Sequence, residues 1–406
     1  MSNAQLQIAV VGAGIGGLAA ASLLADRGFD VTVFDQFDAP RPVGSGLVIQ
    51  PVGRDVLDAI GVGDAARAMG NNIHRMFGDE ADHGRPVLNV HYTGRKGLAI
   101  HRAALFQALL GGVQTRNIPL ITSAEITGFS DGFLQSRDAQ YGPFDLVVDA
   151  AGAGSPLSPL QSRPLPYGAI WGTVDWPDTI LPKDQLSQKY RRADRMIGAL
   201  PIGKMPQNTE HGDGRFKAAI FWSMPRDAYG DWQQAGLTAW KDEARALWPD
   251  FAPFLDQITD ADQMLMARYT HGTLRRPFGD GIVHIGDAAH RASPQLGQGA
   301  NMALLDAHAL ALALVKACET AGRSADIVSQ ALPIYARARR WHVRIYQTMS
   351  AAFTPQYQSD SRLLPKFRDR ILFPVSMIPP TPRILTSLVA GTMLPPLASL
   401  TPPSKD

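Results

Sequence analysis

Apolar residues near the start of the chain fall in short runs. Residues 7–11 (Gln-Ile-Ala-Val-Val) are too few for a helix and predict a buried strand. Residues 15–28, rich in alanine and leucine, predict a helix that closes at Gly28. Residues 30–35 (Asp-Val-Thr-Val-Phe-Asp) predict a second strand. Strand, helix and strand make a βαβ unit, so a parallel sheet is expected. Further along, residues 100–110 have helical periodicity, 144–149 and 281–286 predict strands, and 301–319 predict a long apolar helix.

Between about 166 and 267 the pattern changes. This stretch holds Trp171, Trp176, Trp222, Trp232 and Trp240 and β-like runs such as Phe216–Ser223, with a helix expected at roughly 234–247. Strand 216–223 alternates Phe216, Ala218, Ile220 and Trp222 on one face with Lys217, Ala219, Phe221 and Ser223 on the other. The expected fold class is α/β. A discontinuous Rossmann-like domain takes residues 1–75, 98–165 and 268–350, and a mostly antiparallel sheet domain takes 76–97 and 166–267. C-terminal helices and a tail at 351–406 follow. From 371 on the tail is rich in proline, and no charge lies between Arg383 and Lys405. It is expected to pack on the body of the protein or on a second subunit. The alternative is a membrane-surface or partner contact, against which the helix-breaking prolines count.

Composition narrows the function only a little. Of the 406 residues 45% are apolar and 19% charged, enough for a large core. A net charge of +2 gives no reason to expect a nucleic-acid partner. The single cysteine, Cys318, rules out an intrachain disulfide and a cysteine-built metal site; it is expected to be a buried thiol in a cytoplasmic protein. No signal peptide and no membrane-spanning run is expected, and no metal.

Gly12-Ala-Gly14-Ile15-Gly-Gly17 lies between the first strand and the first helix, and Asp35 ends the second strand. Gly12 permits a tight turn, Gly14 lets backbone approach a pyrophosphate, and Gly17 lets helix pack closely on strand. The helix start offers free N–H groups and positive potential, and Asp35 can accept bonds from ribose hydroxyls. This pattern implies an ADP-ribose-like group without separating FAD from NAD. A second motif runs Gly286-Asp287-Ala-Ala-His290-Arg-Ala-Ser-Pro294-Gln-Leu-Gly297-Gln-Gly299-Ala300-Asn301. There a glycine-rich loop opens a helix toward something electron-rich, as the N1 and C2-carbonyl side of reduced flavin would be.

At these residues the chain resembles the FAD-dependent aromatic hydroxylases, the family that includes para-hydroxybenzoate hydroxylase. The resemblance implies FAD as cofactor, with Asp287 on the ribityl chain and the Gly297–Asn301 loop against the ring. Gly44–Pro51 is similar to the family's flavin-flanking loop, and Arg102 to its cofactor-reaching arginine. The cofactor set is therefore Gly12, Gly14, Ile15, Gly17, Asp35, Gln36, Gly46, Val48, Arg102, Gly286, Asp287, Pro294, Gly297, Gly299, Ala300 and Asn301. His290 belongs to the cofactor motif and is not read as a general base. Tyr335, Arg339 and Arg340 are read as structural.

The resemblance further implies reduction by transient NADH or NADPH, O₂ as co-substrate, a C4a-hydroperoxyflavin, and hydroxylation of a small aromatic or heteroaromatic substrate by a monomer or homodimer. No catalytic side chain stands out. Tyr190 and Trp222 are pocket candidates, in a pocket expected to be largely apolar. The family's third motif departs here: Ala151 stands where an aspartate is usual and Ser158 where an arginine is. That leaves open an N-oxygenase, an epoxidase or a ring-cleaving oxygenase served by a separate reductase, and, more remotely, a non-catalytic redox sensor.

Overall fold

The computed structural model describes residues 6–39, 44–207, 209, 212–320, 324–397 and 400. Gln7–Val11 is the axis of a six-stranded sheet. It pairs in parallel with Asp30–Phe34 on one side and Leu146–Asp149 on the other. Ile282–His284 and Leu120–Ile121 extend the parallel set, and only Phe278–Gly279 runs antiparallel. Both faces are covered, which is why these strands are apolar throughout rather than alternating. Ile8 and Val10 pack among helices Ile15–Ala25, Arg102–Thr115 and Gly299–Cys318, whereas Ala9 and Val11 meet a small three-stranded sheet formed by residues 126–141.

The second large sheet has eight strands, with Arg163–Asp175, Phe216–Pro225, Arg195–Lys204 and Gln185–Arg191 adjacent and antiparallel at its centre. Its two faces differ. Ile170, Ile197, Ile220 and Trp222 pack against helices Leu237–Leu247 and Ala252–Leu255. Leu186, Tyr190, Met196, Leu200 and Phe221 face the other way. A short sheet of Gly46–Ile49, Gly97–His101 and Asn71–Ile73 joins the two large sheets. Gly46 sits where a Cβ would collide with Ile202 and Ala219, so only glycine lets this strand approach.

Several expectations shift. The helix expected at 100–110 is Arg102–Thr115; Leu98 to Ile100 instead pair with Leu47 to Ile49, and the His101 Nδ1 accepts from the Ala103 N–H to start the helix. The first helix ends at Ala25, and Gly28 (φ 81°) turns the chain three residues later. The helix near 234–247 is broken at Gly236 (φ 78°) into Tyr229–Ala235 and Leu237–Leu247. Cys318 is exposed, not buried, because it falls on the outer side of the last turn of Gly299–Cys318. That helix is long and apolar enough to cross a bilayer, yet 72% of its apolar window is buried inside the protein.

Beyond the long helix Ser324–Tyr357, the tail is helical. Leu364–Phe367, Arg368–Leu372 and Phe373–Ser376 run on from one another, and Thr381–Ala390 returns against the body. There Tyr346 Oη donates to the Leu388 carbonyl (2.6 Å) and Gln298 Nε2 to the Val389 carbonyl (2.6 Å).

Candidate active site

At the first turn, Gly12 has φ 103°, and a Cβ there would lie 2.6 Å from the Ala150 carbonyl oxygen. A Cβ on Gly17 would collide with the Gly12 carbonyl oxygen. Around Gly14, by contrast, no atom lies within 4 Å of where a Cβ would stand. The helix that follows has no side-chain cap and no acid in its first turn. The glycines thus make a tight, open cradle at a positive helix end, a fit for pyrophosphate. Asp35 braces it, accepting from the Ala13 N–H (2.7 Å) and the Phe37 N–H (3.0 Å), with Gln36 exposed beside it.

A buried carboxylate builds the second loop. Asp306 is fully buried and accepts from the Gly286 N–H (3.0 Å), while its oxygens also meet His290 Nε2 (2.6 Å) and Arg339 Nε (2.7 Å). Burial works to raise the Asp306 carboxyl, but the charges and hydrogen bonds of His290 and Arg339 outweigh it and hold it well below the carboxylate range. Gly286, with φ 57°, is pinned by this network, and Asp287 projects exposed from the same turn. Gly297 (φ 60°) then turns the chain into helix Gly299–Cys318, which has no side-chain cap and no acid in its first turn.

Asn301 is fully buried, and its amide is committed. Its Oδ1 accepts from the Gln50 N–H (2.8 Å), and its Nδ2 donates to the carbonyls of Val48 (3.1 Å) and Gly297 (2.9 Å). Asn301 therefore locks the Gly46–Gln50 segment to the Gly297 loop. Arg102 crosses over Gly44, whose Cβ would stand 2.9 Å from the arginine Cδ. It is open to a cavity rather than to bulk water. Burial lowers its pKa, and Asp287 and Tyr269 oppose that shift.

That cavity has a volume of about 1310 Å³. One wall carries Gly46, Val48, Arg102, Asp287, Pro294, Gly297, Gly299 and Ala300; Gly286 and Asn301 stand behind it, and the Gly12–Gly17 turn lies apart. The opposite wall is the sheet face with Leu186, Gln188, Tyr190, Met196, Leu200 and Phe221. Trp222 is not part of it. Its side chain points to the other face of the sheet, into the cluster that also holds Trp240 and Phe254, so Phe221 is the aromatic of that strand that reaches the cavity. Strand alternation separates the two faces, but only the placement of the helices decides which face is covered.

The third wall comes from the tail, which carried no signal of a site. Leu372, Phe373, Leu385, Leu388 and Val389 line it. Arg368, 2% exposed, stands 5.3 Å from the Tyr190 ring and 5.0 Å from the Tyr357 ring. Its nitrogens are all engaged: Nε with Asp369 Oδ1 (2.6 Å), Nη1 with the Gln356 carbonyl (2.7 Å) and Nη2 with the Arg192 carbonyl (3.2 Å). Burial raises the Tyr190 hydroxyl well above the usual phenol range, with the Tyr357 phenol group and the Asp79 charge adding to it and Arg368 opposing. Among the described residues that hydroxyl makes no hydrogen bond.

The variant third motif is held by buried hydrogen bonds. Asp149 is fully buried and pairs with His284 Nδ1 (2.7 Å) and Ser155 Oγ (2.7 Å), while Ser158 Oγ donates to the Ala288 carbonyl (2.5 Å). These bonds tie the loop after Leu146–Asp149 to the Asp287 turn.

The FAD binding domain family matches residues 5–132 and 242–340, together more than half of the chain. A 3-amino-4-hydroxybenzoate 2-monooxygenase of Streptomyces cremeus is 30% identical over 325 residues, 75% of this chain and 78% of the relative. A 6-methylpretetramide 4-monooxygenase of Streptomyces rimosus is 27% identical over 324 residues, 75% and 74% of the two chains. In fold, the chain is similar to the Klebsiella pneumoniae protein HpxO solved with FAD and uric acid (TM-score 0.77, 19% identity, 96% of each chain). The FAD binding domain match, the curated relatives and the shared fold agree: the protein belongs to the FAD-dependent aromatic hydroxylase family and is a flavoprotein monooxygenase.

Proposed function

We propose that the chain uses NADH or NADPH and O₂ to hydroxylate a small aromatic or heteroaromatic compound that is neutral and largely apolar. The observation that carries this reading is the cavity itself, in which an uncapped helix start and Asp287 face an apolar sheet wall across about 1310 Å³. In this reading the Gly12–Gly17 turn holds the FAD pyrophosphate, Asp35 a ribose and Asp287 the ribityl chain, with Gly297–Ala300 beside the ring. Bound FAD would supply the redox chemistry, by which a hydride from NAD(P)H activates O₂, one oxygen atom enters the substrate and the other leaves as water.

The chain's own residues bind, orient and exclude water. Phe221, Leu200 and Met196 offer a flat apolar surface to a ring. The Tyr190 hydroxyl, without a partner among the described residues, can hydrogen-bond a ring hydroxyl or carbonyl. The helix start at Gly299 favours negative charge gathering near it. The charges around the cavity are the carboxylates of Asp260, Asp262 and Asp287 against Arg102 and Arg368. Arg368 is engaged on every nitrogen and Arg102 neighbours Asp287. A carboxylate on the substrate would find no free cation on the sheet or tail walls among the described residues, and burying it unpaired is costly.

A second reading, reduction by a separate reductase, rests on the third motif: Ala151 offers no charge, and Ser158 is spent on the Ala288 carbonyl. Anaerobic stopped-flow reduction by NADH and NADPH tests both, with phenols and N-heteroaromatics in neutral and carboxylated forms. Flavin bleaching accelerated by neutral compounds supports the proposal. Acceleration only by carboxylates refutes the substrate class, and no reduction by either nucleotide refutes the self-sufficient enzyme.

A further inference from the structure

Among the described residues, seven of the ten exposed large hydrophobic side chains lie in residues 363–384. Leu363, Phe367, Ile371 and Val375 are 76, 45, 50 and 48% exposed and recur every fourth residue. They sit along the helix formed by Leu364–Phe367, Arg368–Leu372 and Phe373–Ser376, whose middle segment is a π-helix. A π turn between α turns brings the mean to about four residues per turn, so positions four apart stay in one stripe. Met377, Ile378 and Ile384, farther along the same segment, are exposed too.

A second stripe runs beside the first. Arg362, Lys366 and Arg370 have the same spacing and are exposed, as is Arg383. The acids of this segment are taken: Asp369 pairs with Arg368, and Asp360 accepts from Tyr167 Oη (2.6 Å). The opposite side of the same helix, with Arg368, Leu372, Phe373 and Ser376, lines the cavity, and Val375, the last residue of the apolar stripe, borders it as well. The helix is thus a single-layer wall between the active-site cavity and the outside.

An apolar stripe flanked by cations that have no acid partner among the described residues matches a bilayer interface with anionic headgroups, where side chains such as Phe and Leu enter the acyl boundary and Lys and Arg meet the lipid charge. Self-pairing of this face about a two-fold axis would bring the cations of two copies together. We propose that segment 362–384 docks on the surface of an anionic lipid bilayer, which sets the cavity wall against the membrane. The docking is independent of which reaction the cavity supports.

The test uses the full-length, FAD-loaded protein and sedimentation with phosphatidylcholine vesicles, with and without phosphatidylglycerol. Two double variants are compared, Phe367→Ser/Ile371→Ser and Lys366→Glu/Arg370→Glu; none of these four residues lines the cavity or contacts the cofactor loops. Binding is expected on the anionic vesicles only, weakened by high salt, and roughly ten-fold or more weaker for either variant with flavin content unchanged. Equal binding to both vesicle types, or to neither, overturns the proposal. So does a homodimer in light scattering that the Phe367→Ser/Ile371→Ser variant converts to monomer.

Discussion

Gly14 and Gly17 are three residues apart, and the same substitution at each separates cofactor binding from folding. An alanine Cβ at Gly17 would collide with the Gly12 carbonyl oxygen, which is backbone and cannot swing aside. Helix Ile15–Ala25 would have to lift off its strand, and overpacking of this kind costs about 3 kcal/mol. Gly14 has φ −82° and ψ −173°, open to any residue, with nothing within 4 Å of a Cβ. There, Gly14→Ala loses roughly 0.5–1 kcal/mol of capping preference. It regains about 0.4–1 kcal/mol from the stiffer unfolded chain. Apoprotein stability is therefore expected to change by less than about 0.5 kcal/mol. The new methyl does, however, occupy the space through which backbone approaches the pyrophosphate. That penalty, about 1–3 kcal/mol, weakens FAD binding roughly 5- to 150-fold. Urea unfolding of the apoproteins and FAD titration by fluorescence quenching measure both effects. Wild-type FAD affinity in Gly14→Ala, or apoprotein destabilisation equal to that of Gly17→Ala, would show that Gly14 does not border the pyrophosphate.

Three further outcomes follow from the buried groups. Asp306→Asn removes the charge that Arg339 and His290 share, and the uncompensated guanidinium should cost about 3–5 kcal/mol in urea unfolding; a loss under 1 kcal/mol would mean that the network does not hold the loop. His342, 2% exposed, is pushed down to about 3 by burial and then by the Arg339 charge. Because the unfolded histidine protonates first, its contribution is complete above about pH 6.5 and is lost as pH falls toward 3, reaching about 2 kcal/mol by pH 5. His342→Gln should flatten the fall in unfolding free energy between pH 7 and 5, and an unchanged slope contradicts the assignment. Finally, Phe221→Leu should raise KM or reorder substrate preference, while Trp222→Phe, on the far face, should leave both unchanged; the reverse result would place the cavity on the wrong side of the sheet.

The amino-acid order alone was enough for whatever depends on neighbours in the chain. Backbone freedom at Gly12 and Gly297, open approach at Gly14 and close packing of Gly17 on Gly12 are needs of near neighbours in the chain, so the motifs could be read without a fold. The parallel sheet followed from short apolar strands broken by helices. What depends on contacts between distant segments was not legible. Alternation divided strand Phe216–Pro225 into two faces, but helices Leu237–Leu247 and Ala252–Leu255 decided that Trp222 is covered and Phe221 faces the cavity. Asn301 reads as a cofactor residue in its motif, yet its amide is consumed by Val48, Gly297 and Gln50, up to 253 positions away. Pairing with Leu47 to Ile49 overrode the helical period at residue 100. The tail read only as a proline-rich segment packing on the body or a partner, because its role lies in which side of a helix meets the cavity and which meets solvent. Only the closed tertiary structure sets that, by burying Arg368 between two tyrosines and leaving Phe367 and Ile371 outside.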